Sequence, residues 1–166
     1  MIRFISLLCA AIAMIVFLKP TAVADDLDAT NVNGLWMSHT GGLVAFGPCG
    51  ETVCGVLEWD PVWDETGSIP LDDKNPEAAL RARSIKGIPI LFGFRETRRG
   101  WRSGTFYSPW EGKSYPANVR RVDDETLRVQ GCIARILCRS FDWKRADAAV
   151  LETSRTLKVQ HPRALP

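Results

Sequence analysis

Histidine and tyrosine each occur only twice among the 166 residues, as His39 and His161 and as Tyr107 and Tyr115. Histidine is the most frequent general acid–base side chain, so this scarcity leaves little for proton-transfer or nucleophilic chemistry. His161 lies near the C-terminus, and His39 stands by a Gly-Gly turn with no nucleophile elbow to serve. A glycine-rich phosphate loop, a paired-histidine metal motif and a dinucleotide fingerprint are all lacking. No catalytic residue, no metal and no cofactor is therefore expected. A surplus of positive charge is missing too. Lysine and arginine number 21 against 19 acids, and Arg3 and Lys19 fall in the first 24 residues, which hold no acid. The remainder is balanced, which argues against a nucleic-acid partner, because such a partner needs a clustered basic surplus.

Apolar runs long enough for a membrane span are also absent. The longest, Phe4 to Leu18, would reach roughly 22 Å as a helix at 1.5 Å per residue, short of a hydrocarbon core of roughly 30 Å. Arg3 precedes it, and Ala22-Val23-Ala24 follows as a small-residue cleavage site before Asp25. Residues 1–24 thus read as an export signal cleaved after Ala24. Leu8, bulky ahead of Cys9, speaks against a lipoprotein. A periplasmic or secreted protein without stable membrane insertion is expected, and the remaining length suits one domain.

Once Cys9 leaves with the signal, Cys49, Cys54, Cys132 and Cys138 remain. An even number in an exported chain reads as disulfides. Three pairings are possible. The short separations favour Cys49–Cys54 and Cys132–Cys138, each across its own hairpin, worth about 2 kcal/mol apiece against about 4–5 for a long bridge. The spacing does not suit a four-thiolate zinc site.

Behind a polar lead-in at 25–33, short β-branched and aromatic runs alternate with turn signals. Strands are expected at Leu35–His39, Leu43–Phe46, Val53–Trp59, Ile88–Phe94, Trp101–Tyr107, Tyr115–Val122, Thr126–Cys132 and Cys138–Lys144. Alternation places Trp101, Ser103, Thr105 and Tyr107 on one face, with Arg102, Gly104 and Phe106 on the other. Tyr115, Ala117 and Val119 share a face, as do Leu127 and Val129. Eight consecutive antiparallel strands remove their free edges by closing into a barrel. A barrel of that size either fills with side chains or holds one small ligand.

One connection is long, from Asp60 to Gly87. Asn75 suits an N-cap and Pro76 the first helical position, so Glu77 to Arg81 is expected to form one or two helical turns. The segment either crosses a barrel mouth or runs over the surface, packed by Trp63, Ile69 and Leu80. Residues 146–166 form a C-terminal extension without an amphipathic stripe, apart from a short helical pattern at Asp147–Thr153.

Several segments, in consistent order over residues 34–145, resemble DUF2147, a family of small exported bacterial proteins. They are Gly34-Leu-Trp36, Cys49-Gly-Glu-Thr-Val-Cys54-Gly55, Asp72-Asp-Lys74-Asn75-Pro76 with Arg81 and Arg83, and Gly87-Ile-Pro-Ile-Leu. Trp101-x-x-Gly104-x-x-Tyr107-x-Pro109-x-x-Gly112-Lys113-x-Tyr115 follows, then Gly131-Cys132 and Trp143-Lys-Arg145. Trp110 departs from the acidic residue expected there. The resemblance implies an all-β, eight-stranded antiparallel lipocalin-like (calycin) barrel and supplies no activity. In barrels of that class the tryptophan of Gly-x-Trp seals the closed end beneath a cation from the last strand. Trp36 and Arg145 are the structural candidates, with Lys144 second, for a contact worth about 0.5–2 kcal/mol.

The candidate ligand-binding residues combine aromatics with polar groups: Trp59, Asp72, Lys74, Asn75, Arg81, Arg83, Tyr107 and Tyr115. A ligand site needs apolar walls and a few placed polar groups, and Arg81 or Arg83 suits a carboxylate or phosphate. The alternative is an internal network, Asp72 to Arg83 and Asn75 to backbone, that pins the loop. The leading functional expectation is a periplasmic, non-catalytic binder of a small, partly apolar ligand. The alternative is an envelope interaction or maintenance protein with a filled barrel and a protein partner. An enzyme using carboxylates or arginine at the mouth ranks last.

Overall fold

The computed structural model describes residues 28–133 and 137–147. The expected signal at 1–24 and all but the start of the C-terminal extension lie outside the described residues. The strands are β1 (Gly34–Met37), β2 (Leu43–Cys49), β3 (Thr52–Trp59), β4 (Pro89–Phe92), β5 (Arg95–Thr97), β6 (Gly100–Ser108), β7 (Lys113–Arg121), β8 (Thr126–Ile133) and β9 (Leu137–Arg145). Every pairing is antiparallel, in the order β4-β3-β2-β1-β9-β8-β7-β6-β5, and β4 also pairs with β6. That last pairing, Leu91 with Phe106 and Phe92 with Thr105, closes the cylinder. β4 and β5 are two pieces of one stave, broken at Gly93, whose φ of 70° suits a residue without a Cβ. The expected eight staves are all present.

The inward faces follow the alternation in β7 and β8, where Ala117, Val119, Leu127 and Val129 are buried. In β6 they do not. Trp101 stands opposite Val119, but Gly104 stands opposite Ala117, so three residues of β6 span two of β7. The extra residue is absorbed at Ser103, at φ 56° the one positive-φ non-glycine among the described residues; its N–H donates to the side-chain oxygen of Asn118 at 3.0 Å. A bulge of this kind re-aims every residue beyond it. Trp101, Gly104 and Phe106 therefore face inward, while Thr105 and Tyr107 face outward. The expected common face of Trp101, Ser103, Thr105 and Tyr107 is thus split.

One end of the cylinder is sealed. Trp36 is fully buried, its indole N–H donates to the Val32 carbonyl at 2.9 Å, and the Arg145 guanidinium carbon lies 4.2 Å from its ring centroid. The described part of the polar lead-in expected at 25–33, residues 28–33, is ordered as part of this seal. Val32 is fully buried, and the Thr30 carbonyl accepts the Trp101 indole N–H at 2.7 Å. Disulfides join Cys49 to Cys54 and Cys132 to Cys138, and the second pair stands directly opposite across β8 and β9.

The long connection is ordered, though not where expected. Helix α1 occupies Pro61–Thr66, capped by the Asp60 carboxylate accepting from the Val62 N–H at 3.0 Å, and its Trp63 enters the core. Asn75 does not start a helix. Its side-chain oxygen accepts from the Glu77 N–H at 2.8 Å, and only a short 3-10 turn, Ala78–Leu80, follows. Ile85 returns to the core, while Ile69 stays exposed and Leu80 half-buried.

Inside, glycine makes room for aromatic rings. A Cβ at Gly55 would lie 2.9 Å from the Phe46 ring, and one at Gly104 would collide with the Phe94 ring. Gly104→Ala should therefore destabilise the barrel by about 1–3 kcal/mol, the usual result of overpacking. Urea unfolding followed by tryptophan fluorescence checks it; an unchanged midpoint would show that Phe94 does not rest on Gly104.

Candidate functional site

Below its open end the barrel is hollow. A cavity of about 790 Å³ occupies the upper half, within the range of roughly 300–1,000 Å³ usual for small-molecule sites. Its walls are apolar side chains from six strands: Val44 of β2, Leu57 of β3, Ile90 of β4, Phe106 of β6, Tyr115 of β7, and Phe141 with Trp143 of β9. Phe46, edge-on to Trp143 with ring centroids 6.4 Å apart, lies at the floor. The Trp143 ring lines the chamber, while its indole N–H is buried out of reach of it and has no acceptor among the described residues.

Polar groups gather at the rim. His39 stacks on Phe141, with centroids 3.8 Å apart and planes 11° from parallel, and partial burial lowers its pKa. Asp60, nine-tenths buried, also lines the cavity. Desolvation raises its pKa despite the Val62 N–H it accepts. Tyr115 stacks with Phe106, its cross-strand partner, and donates to Glu111 at 2.5 Å. That hydrogen bond raises the Tyr115 pKa. Arg139 completes the polar rim, and the Cys132–Cys138 disulfide with Trp110, Ile133 and Leu137 adds apolar surface around it.

Of the residues singled out in the sequence, Tyr115 lines this cavity. Four others meet elsewhere, on the outward face of β6 beneath the long connection. Asp72, fully buried, accepts from Arg83 Nη2 at 2.8 Å and Nε at 3.0 Å, from Asn75 at 2.7 Å and from the Tyr107 hydroxyl at 2.5 Å. Arg81 donates to the Asn75 carbonyl at 2.7 Å, and Lys74 to the Trp110 carbonyl at 2.7 Å. Trp59 is half-buried against the core. Asp72, Lys74, Asn75, Arg81, Arg83, Tyr107 and Trp59 are thus not cavity walls. Of the 60–87 connection, Asp60 alone borders the chamber, so the segment flanks the mouth and does not cross it. The wall residues Val44, Leu57 and Phe141 sit at ordinary alternating strand positions and carry no distinctive chemistry. Only their inward parity could have marked them.

The Asp72 cluster fixes the loop electrostatically. Burial first, and then the hydrogen bond to Asp72, push the Tyr107 pKa from 10 up to about 12. Tyr107→Phe leaves a buried carboxylate oxygen without its donor and should cost about 1–3 kcal/mol at neutral pH. The sign of the pH dependence follows from the raised value. Below pH 10 the phenol is neutral folded or unfolded; between about 10 and 12 only the unfolded chain ionises, so stability falls as pH rises. The wild-type lead over Tyr107→Phe should therefore shrink through that window. Paired denaturant titrations measure it, and a constant difference to pH 12 would remove Tyr107 from the network.

Comparison with curated proteins gives no match. Among solved structures the fold is similar to protein HP1028 from the human pathogen Helicobacter pylori, described as belonging to the lipocalin family. The identity is 19%, the TM-score is 0.66, and the match covers 76% of this chain and 90% of that one. The likeness is one of fold, a lipocalin-like barrel. A family model described as an uncharacterized protein conserved in bacteria matches residues 34–145, from the Gly-x-Trp opening to the arginine over that tryptophan, and the chain accordingly belongs to the DUF2147 family.

Proposed function

We propose that this protein is an exported, periplasmic binder of one small, partly apolar molecule, held in the upper half of the barrel without chemical change. The observation that carries the reading is the hollow chamber itself, apolar on six staves and open at one end. Such walls reward burial of hydrocarbon at about 25 cal/mol per Å². Rim groups such as His39, Asp60 and Arg139 suit a polar end left near solvent. Two disulfides suit an oxidising, exported compartment, which agrees with the signal read in residues 1–24. The alternative, an envelope interaction or maintenance protein with a filled barrel, is less well supported by a chamber that leaves about 790 Å³ open between its walls.

N-phenylnaphthylamine, an apolar fluorophore of suitable size, should bind saturably, brighten, and quench tryptophan emission by its nearness to Trp143. Leu57→Trp, which adds bulk inside the chamber, should weaken binding at least tenfold. Circular dichroism and the unfolding midpoint serve to establish that this variant is folded, and Phe141→Trp provides a second occlusion should it not be. Saturable binding that survives in the folded occluded variants, or none in the wild type, would overturn the proposal.

A further inference from the structure

The chain is charge-balanced overall, but its arginines are unevenly placed. On the outward face of β5 to β9, two cross-strand pairs set arginine directly opposite arginine: Arg95 with Arg102, and Arg120 with Arg128. Like charges in directly opposed positions destabilise a sheet. One local carboxylate relieves part of this. Asp142 takes both Arg128 Nε and Nη2 at 2.6 Å. The Arg102 side chain has only a 3.5 Å contact with the Arg99 carbonyl, and the Arg120 side chain has no hydrogen bond among the described residues, only the through-space attraction of Asp142.

Between these groups lies a pocket of about 40 Å³ lined by Arg102, Asn118, Arg120, Arg128, Gln130 and Ser140. None of them borders the barrel chamber. The floor is ordered by a chain of hydrogen bonds: the Ser103 N–H to Asn118 at 3.0 Å, Asn118 to Gln130 at 2.9 Å, and Gln130 to Ser140 at 3.3 Å. The β6 bulge starts that chain and, by adding a residue, displaces Arg102 from strict register with β7. Arg102 and Arg120, which line the pocket without a hydrogen-bonded carboxylate, are thus half-buried over a fixed polar floor.

We propose that this pocket is an oxyanion site for a phosphoryl group, gripped by Arg102 and Arg120. Guanidinium forks match such groups through paired, charge-assisted donors. The pocket is small, about 40 Å³, so an oxyanion group seats at its arginines while the rest of the molecule stays outside. An anion there neutralises both like-charged pairs at once. The site is separate from the barrel chamber and stands whether or not the chamber binds a ligand.

The test titrates inorganic phosphate into the labelled protein at constant ionic strength, following the arginine Nε–H and Asn118 side-chain signals by NMR. A second arm sediments the protein with vesicles of phosphatidylglycerol or of phosphatidylcholine. Saturable shifts at Arg102, Arg120 and Asn118, weakened at least fivefold in Arg120→Gln and in Arg102→Gln but not in the charge-matched Lys86→Gln, support a site for free phosphate. Sedimentation with phosphatidylglycerol vesicles alone, lost in the same two variants and kept in Lys86→Gln, supports the same site reading a lipid headgroup. Shifts that do not saturate, or responses equal in all three variants, overturn it, as does a wild type that responds to neither probe.

Discussion

Trp36 and Arg145 do two things with one contact. They are opposite residues in the short β1–β9 pairing that joins the first strand to the last. They are also the indole and guanidinium that cap the sealed end, 4.2 Å apart. The seam and the floor are therefore one object. Gly34, at φ 129°, is part of it, since a Cβ there would press on the Arg145 guanidinium. The arginine is held in turn by the Asp124 carbonyl at 2.6 Å, so the β7–β8 turn is tied to the same point. With the bottom closed by packing, the top of an eight-staved cylinder is left without enough bulky side chains to fill it.

The division between inside and outside then rests on a single inserted residue. The bulge at Ser103 carries Phe106 into the chamber and turns Tyr107 to the outer wall. There Tyr107 meets Asp72, and the long connection acquires a buried polar anchor with hydrogen-bonding partners on three sides. A carboxylate with no exposure is tolerable only with such partners. The chamber is left with an almost wholly apolar wall, and the polar chemistry of the molecule is displaced to the rim and to the outer face.

Much of the fold was legible in the sequence because strand alternation is a local signal. Leu127 with Val129 and Ala117 with Val119 point inward as their spacing dictates. The paired short cysteine loops and the Gly34-x-Trp36 opening are local features of the same kind. What escaped was non-local. The bulge is a relation between β6 and β7, and neither strand records it alone. Asp60-Pro61 and Asn75-Pro76 carry the same cap-and-proline signature, yet only the first starts an α-helix. Trp63 anchors that turn in the core, whereas Asn75 spends its amide on Asp72 and Tyr107. The candidate site was legible as a set of residues that gather, and Asp72, Asn75, Arg83 and Tyr107 do gather. Which side of the wall they gather on was decided by the bulge. The true cavity walls are ordinary aliphatic and aromatic residues, which no motif distinguishes from core.

The central claim is that a closed barrel encloses permanent free space above a packed floor. The most direct measurement is a crystal structure of the protein purified from its native compartment without unfolding, determined at a resolution that separates water from organic density. The account predicts continuous non-protein density between Val44, Leu57 and Phe141, ending near Trp143 below and His39 above. A chamber collapsed onto its own side chains, or filled throughout with ordered water, would contradict it.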